Sequence, residues 1–549
     1  MDVYSLFPSA GGEAEKRKFF LEQIEKLLCN IDARKDPELA ILDGPIERNY
    51  SKLIDESKVP EKGQDLETLH QYLDQFAAGN PYSTKYLMFN ADCLPSIPSL
   101  LGMLTAALLN SNAIWDISSP AAAEAEVRTI AMMADIIGYN PRLASGYFTY
   151  GGQGGIFSGL RIGIEKAAPG SRVNGIPNNL YCFTSKLAHF SLYKAVETGI
   201  GTEKVISIST NKDNSMNLNE LKERMCEVIE NGGKIALVLA TAGTTDAFGI
   251  DDVRGIKKII DDLVQTYKLD YVPHLHADGA MGGLYIFFTK YDFDKNPLQF
   301  NFRTLQALRK ITERISGIKE ADSISIDFHK LGQTPYNNSL FMVKDSRDLN
   351  LVNLKLDLCP YIGEKGYGDY FTGYTFECSR MASAIAAFAN LITFGIEGFQ
   401  KILGNYVNLT VKLREQLKTK CPLIKIVNHK NYGPISLLRI YNNEVEAVNE
   451  LKNRAKKEEI IKINKLNEEF YSLLRENRRR MMFGDTKKCA LLTAHDTKEQ
   501  IPINGTKAFI ISPYTTIEDI DEITTYLKNT YQQLMATKNQ KYITVDSVG

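Results

Sequence analysis

The middle of this chain predicts an α/β domain built on a mostly parallel sheet. Three observations carry that prediction. Between about residues 146 and 345, short apolar runs alternate with helical segments, as strands and crossover helices do in such a domain. One run, Lys234–Ala240 (KIALVLA), is almost continuously apolar, as expected of a strand buried on both faces. Glycines also gather between a strand and a helix, at Gly151, Gly152, Gly154 and Gly155. There backbone N–H groups at a positive helix end can approach an anion.

Whole-chain properties narrow the class. The 549 residues are 44% hydrophobic and 24% charged, the content of an ordinary globular protein of two or three domains. A formal net charge of −1 argues against a broad nucleic-acid surface. Eight cysteines are scattered with no CxxC pair, which suits reduced thiols in a cytosol rather than a disulfide framework or a zinc site. No apolar run approaches about 20 residues, so no membrane span is expected. The N-terminus (MDVYSLFPSAGGEAEKRKFF) has no apolar core of signal-peptide type. A cytoplasmic location is expected.

The elements follow in order. Residues 14–30 read as an amphipathic helix with Phe20, Leu21, Ile24, Leu27 and Leu28 on one face. That face either packs on its own chain or embraces a second subunit. Leu66–Phe76 is another helix, and the turn-rich residues 79–95 lead into an apolar one over Ser96–Leu109. Ser118, Ser119 and Pro120 start a long helix to about Ile137, because serine before a first-turn proline is a helix-start signal. Trp115, the only tryptophan, is either a packed aromatic or a pocket wall.

Tyr147–Tyr150 is a short strand that meets the glycines, and a helix follows (IFSGLRIGIEKAA). No GK[ST] follows and the spacing is not GxGxxG, so this is neither a P-loop nor a dinucleotide fingerprint. It is a tight turn or a seat for one phosphate. Leu180–Phe183 is a strand, and His189 opens a helix as either a bonded polar group or a catalytic one. Strand Val205–Ile208 comes next, then helix Leu218–Asn231, with Asn217 or Asn219 as cap. The apolar run Lys234–Ala240 ends in Thr241-Ala242-Gly243-Thr244-Thr245, where hydroxyls gather at a strand's C-terminal end.

Helix Val253–Tyr267 precedes Tyr271–Gly283 (YVPHLHADGAMGG), whose strand ends in Asp278. A carboxylate at the mouth of a parallel sheet is where ligands are met. His274 and His276 share a strand face, but no third ligand has matching spacing, so no metal is expected. Residues 284–320 insert a charged, aromatic stretch ending in a helix. Ser323–Ile326 (SISI) alternates as a half-buried strand does, then stops at Asp327, Phe328, His329 and Lys330. A lysine at that place is a solvated charge or, if desolvated, an amine able to form a Schiff base. After Gly395 a smaller α+β pattern takes over. It has a helix (about 397–419), strand-like Leu423–Val427 and Ile435–Tyr441, and a charged helix (about 444–480). Strand-like Ala508–Ile511 and a helix (about 516–535) close it.

Glycine loop, histidine, TAGTT, HADGA and HK, in that order, resemble the group II pyridoxal-phosphate-dependent amino-acid decarboxylases. The motifs cover about residues 80–400. SISIDFHKLGQTPY and the insertion after HADGA look most like bacterial tyrosine decarboxylases and their archaeal relatives. The resemblance implies PLP fold type I, the aspartate-aminotransferase-like fold, with a mostly parallel seven-stranded-type sheet and pyridoxal 5'-phosphate as cofactor. It implies an N-terminal helical arm (1–85), a large cofactor-binding domain (86–395) and a small α+β domain (396–549). It also implies a homodimer with active sites at the interface; the net charge and the lack of an apolar span give no nucleic-acid or membrane partner to expect.

The same resemblance implies a role for each motif. Lys330 would be the Schiff-base lysine, and Asp278 would pair with the pyridine nitrogen. His189 would stack on the ring, with Ala280 against its opposite face. Gly152, Gln153 and Gly154 would offer backbone donors to the phosphate, Thr241 and Thr244 hydroxyl contacts, and His329 a phosphate contact. Ser118 and Ser119 match an SSPATTELE-like segment near the cofactor. A tyrosine protonates the product in such enzymes; Tyr361 is the candidate for the proton and Tyr336 for substrate contact. The chain departs from the pattern at Gln153 and Ile156, where relatives carry Ser or Thr and Asn. It departs again at Met281, in place of tryptophan, and at Lys507, where many carry an arginine for a substrate carboxylate. The implied reaction converts an L-amino acid to its amine and carbon dioxide, with aromatic substrates favoured over aspartate or glutamate. Aldehyde-forming oxidative decarboxylases and carbon–carbon lyases share the fold and stand as alternatives, as does a catalytically degenerate protein acting by association.

Overall fold

The computed structural model describes residues 3–354, 358, 370 and 372–546. Its strands, in chain order, are β1 (Leu87–Met88), β2 (Ser145–Thr149), β3 (Leu180–Ser185), β4 (Val205–Ile208), β5 (Lys234–Thr241) and β6 (His274–Asp278). They continue with β7 (Ser323–Asp327), β8 (Ser339–Val343), β9 (Ile424–Ile426), β10 (Ile435–Ile440), β11 (Met482–Thr493) and β12 (Gln500–Phe509).

Seven of them form one sheet in the order β2-β8-β7-β6-β5-β3-β4. Neighbours from β7 through β6, β5 and β3 to β4 pair in parallel. β8 pairs antiparallel with both β2 and β7, so it alone runs against the rest. Ile235 to Ala240 of β5 are all fully buried, which is why that strand reads as one apolar run. The helix Val253–Tyr267 buries Val253, Ile256, Ile259, Ile260 and Leu263, one face at helical spacing, against the same core.

Three expectations are corrected here. β7 is buried at every residue rather than half-buried. The polar positions of SISI do not face water. Ser323 Oγ is bonded to His274 Nε2 at 2.7 Å and His276 Nδ1 at 2.8 Å, and Ser325 Oγ to His276 Nε2 at 2.9 Å. The alternation therefore separates an apolar buried face from a polar one whose groups satisfy each other. The helix after the glycine loop begins at Gly152, ahead of the IFSGL segment. Its glycines are packing positions: a Cβ on Gly155 would lie 2.1 Å from Ser325 Oγ, so the helix rests on β7 without side chains between. The helix near His189 starts at Ser191, which leaves His189 in the preceding loop.

The second sheet has the order β1-β11-β12-β10-β9, with β1 parallel to β11 and the rest antiparallel. The hairpin β11–β12 was not legible as two strands, because its exposed positions carry polar and charged residues such as Lys487 and Lys488. The charged stretch 444–480 divides into helices Glu444–Leu451 and Lys457–Glu476, with Asn453 at φ 56° between them. Arg439 and Glu450, both fully buried, form an ion pair at 2.6 Å in the core of this unit. The helix Ala384–Lys420 is interrupted by non-helical Gly395 (φ 59°, ψ −169°). At the other end of the chain, no residue of the helix Ala14–Asp32 is buried. Among the described residues no helix is long and apolar enough to cross a membrane.

Candidate active site

The C-terminal ends of β5, β6 and β7 open onto one cavity of about 330 Å³. Its walls include Gly152 and Gln153 from the glycine loop, His189, Thr241, Asp278, Ala280, His329 and Lys330. Parallel strands deliver their ends to one edge, and crossover helices return on the far side, so residues distant in sequence meet there.

Asp327 organises the charges. It is the last residue of β7, and the chain turns immediately after it, so that Lys330 folds back over it. Lys330 Nζ lies 2.7 Å from Asp327 Oδ2. His329 Nε2 lies 3.6 Å from the same oxygen, and the Ser339 hydroxyl donates to Asp327 Oδ1 at 2.6 Å. Burial works to raise the Asp327 carboxyl, but the Lys330 and His329 charges outweigh it and hold it below its ordinary value. Burial likewise works to lower the Lys330 ammonium. Asp327, and then Asp278, overcome that and keep it above the usual lysine range.

Asp278 ends β6, and Oδ1 accepts from the Ala280 N–H at 3.1 Å. Burial pushes its carboxyl up to about 6, against the pull of Lys330. Burial, and then the Lys330 charge, hold His189 below the ordinary histidine value. His189 Nδ1 is bonded to the Ser191 hydroxyl. His329 Nδ1 sits 3.1 Å from both the N–H and the carbonyl of Asn338.

The glycine loop comes very close. A Cβ on Gly152 would lie 3.0 Å from Asp327 Oδ1 and 3.2 Å from the Ala280 Cβ. The Thr241 hydroxyl lines the cavity, is buried, and has no hydrogen-bond partner among the described residues. An orphaned buried donor there calls for a ligand oxygen. These features fit a phosphorylated pyridine aldehyde: a lysine for the aldehyde, a buried carboxylate for the ring nitrogen, and open N–H groups at the helix start Gly152 for the phosphate.

Other expected site residues lie elsewhere. Gly154 is buried under the loop, where a Cβ would be 2.1 Å from Thr149 Oγ1. The Thr244 hydroxyl is buried too, and accepts from the Gly249 N–H at 2.9 Å, which pins the turn. Ser119 caps the helix Pro120–Ile137, and Ser118 is exposed. Tyr336 stands outside the cavity wall with its ring 4.3 Å from that of His329. Tyr361 falls outside the described residues. Lys507 is committed to Asp246 at 3.2 Å, and the Thr486 hydroxyl donates to the same carboxylate at 2.8 Å. Phe190, Ser191 and Lys194 line the cavity and were not singled out by sequence. Nor was Asp327, although a carboxylate three residues before the lysine, in one turn, was a readable signal.

Comparison with known proteins shows the family and the fold. The profile of the pyridoxal-dependent decarboxylase conserved domain matches residues 49–296 and 304–438. The chain is 24% identical over 420 residues to an L-2,4-diaminobutyrate decarboxylase of Rhizobium meliloti (strain 1021), covering 75% of this chain and 77% of that one. It is 24% identical over 295 residues to an L-tyrosine decarboxylase of Enterococcus faecium, covering 48% of this chain and 47% of that one. In fold it is similar to Oryza sativa TDC solved with PLP and tryptamine, with a TM-score of 0.75 at 16% identity, over 96% of this chain and all of that one. It is similar as well to the glutamate decarboxylase domain of a diaminobutyrate-pyruvate transaminase and L-2,4-diaminobutyrate decarboxylase from Vibrio parahaemolyticus, with a TM-score of 0.72 at 17% identity, over 96% of this chain and 98% of that one. With the family domain spanning most of its length, this chain belongs to the pyridoxal-dependent decarboxylase family, whose cofactor is pyridoxal phosphate.

Proposed function

We propose that this chain removes carbon dioxide from a free L-amino acid and releases the amine, with aromatic, tyrosine-like substrates favoured. The observation that carries the reading is the convergence of Lys330 and Asp278, from the ends of neighbouring strands, in one cavity. When bound, pyridoxal phosphate supplies the electron sink for the pair left at the α-carbon. Asp278 holds a proton at the ring nitrogen, and its burial keeps water from competing for that contact. His189 covers one side of the cavity. Asp327, 2.7 Å away, holds Lys330 as an ammonium, which must shed its proton before the amine can react with the cofactor's aldehyde. Tyr361 is assigned the proton delivery to the α-carbon, and Tyr336 a place beside the substrate.

The tyrosine-like preference rests on the HKxGxxPY pattern, and a tyrosine decarboxylase stands among the relatives beside diaminobutyrate and aspartate decarboxylases. The working form is assigned as a homodimer. The helix Ile97–Leu109 supports this, because Ile97, Leu100, Leu101, Leu108 and Leu109 are exposed on the chain taken singly. The test is carbon dioxide release with added pyridoxal phosphate from L-tyrosine, L-DOPA, L-phenylalanine, L-tryptophan, L-aspartate and L-glutamate, beside Lys330→Ala. Release that disappears in Lys330→Ala, together with the cofactor's protein-bound absorbance band, is expected. Equal release by both proteins would sink the proposal.

A further inference from the structure

Two lysines line the cavity, and only one of them has its charge matched. Lys330 is held by Asp327 at 2.7 Å, with a further pull from Asp278. Lys194 makes no ion pair and no side-chain hydrogen bond among the described residues. Its Nζ lies 5.8 Å from the centre of the ring of Phe190, another wall residue. The two wall histidines do not add charge. Burial, above all, holds His189 and His329 below the ordinary histidine value, so both are mainly neutral at pH 7.

The helix Ser191–Val196 that carries Lys194 is fixed on the glycine-loop helix. Leu192, Ala195 and Val196 share one apolar cluster with Ile156 and Leu160 of the helix that starts at Gly152. Lys194 lies off that buried face, is exposed, and lines the cavity together with Gly151, Gly152 and Gln153. Thr241, whose buried hydroxyl has no partner among the described residues, lines the same cavity.

A phosphate brings between about 1.5 and 2 negative charges. A helix start answers with N–H dipoles worth about half a charge. Asp327 works against it, since a Cβ on Gly152 would lie 3.0 Å from Asp327 Oδ1. Lys330 is already committed to that carboxylate. Among the described wall residues, Lys194 is the cation left to balance the phosphate.

We infer that Lys194 binds the phosphate of the cofactor, its ammonium supplying the charge that the N–H groups at Gly152 offer only as dipoles. The assignment rests on the family's cofactor and not on which amino acid the chain acts on.

The experiment titrates pyridoxal phosphate, and pyridoxal without the phosphate, into cofactor-free protein while the protein-bound absorbance band is followed. In Lys194→Gln the affinity for pyridoxal phosphate should fall about 5- to 20-fold with pyridoxal unchanged, and Lys194→Arg should restore most of it. Added salt should weaken pyridoxal phosphate binding less in Lys194→Gln than in the unaltered protein. In a variant whose thermal midpoint is unchanged, an equal loss for both compounds, or no loss for either, overturns the inference. A loss confined to amino-acid binding by the loaded protein overturns it too, and would move Lys194 to a substrate carboxylate.

A second readout involves no aldehyde. Inorganic phosphate competes with pyridoxal phosphate for the cofactor-free protein, and its inhibition constant should rise in Lys194→Gln by a similar factor. An unchanged constant overturns the inference. Both readouts are of binding, so they stand whether or not any amino acid loses carbon dioxide, and failure of the decarboxylase reading is told apart from failure of this one.

Discussion

At Lys330 two effects oppose each other, and their sizes decide the resting state of the site. Desolvation favours the neutral amine, but Asp327 at 2.7 Å favours the ammonium and wins. At Asp278 the balance is reversed, because burial outweighs the pull of Lys330 and lifts the carboxyl to about 6. Below that pH the cofactor-free protein holds Asp278 neutral, and a neutral carboxyl cannot keep a pyridine nitrogen protonated. Affinity for pyridoxal phosphate is therefore expected to weaken as pH falls from about 7 to about 5, read from the absorbance band. Lys330 adds loss in the same direction, since its ammonium must shed a proton before it can bond an aldehyde. Asp278→Asn removes the Asp278 step and also one of the two carboxylates that raise Lys330, so a smaller loss of affinity over this range is expected in that variant. Identical pH curves for both proteins would show that Asp278 does not set the affinity. Lys330 and Asp278 were legible in sequence because each follows a strand-like run. Asp327 carried a readable signal, a carboxylate three residues before the lysine, but its contacts with Ser339 and His329 arise only through the turn.

At the scale of elements, the turn from Thr241 to Asp251 carries several wall residues of the cavity, and a buried carboxylate at its end helps to hold it. Asp251 accepts from the Thr241 N–H at 2.8 Å and the Met216 N–H at 2.6 Å, and burial pushes its own carboxyl up to about 7. Asp251→Ala strands both N–H groups, at a cost of about 2–4 kcal/mol. A lower thermal midpoint and weaker pyridoxal phosphate binding are expected together. Binding that is unchanged in a destabilised variant would separate this turn from the site. Apolar periodicity located β5 and its helix, since burial on one face leaves a regular trace. It misread β7, where serines face histidines, because a polar residue bonded inside the core has the same letter as one in water.

At the scale of the molecule, the exposed leucines of the helix Ile97–Leu109 are the strongest reason to expect a second copy. Leu101 is 59% exposed and Leu100 49%, on a helix whose other face packs closely on the helix Ala384–Lys420. Light scattering is expected to give twice the chain mass, and Leu101→Glu to shift it toward a single chain with loss of carbon dioxide release. A fully active single chain would remove the dimer from the mechanism.

The sequence by itself determined the architecture and the chemical cast: a mostly parallel sheet, a lysine and a carboxylate at strand ends, a glycine-rich helix start, and the family that unites them. Those features are local, written in spacing and in residue types with few other uses. Only the tertiary structure decided which candidates share a cavity. It brought Thr241 to the wall but turned Thr244 into the turn, it set Gly154 under the loop, and it matched the charge of Lys507 with Asp246. Such outcomes depend on pairings across hundreds of residues. Distance and burial decide them, and neither is encoded in the spacing of neighbours along the chain.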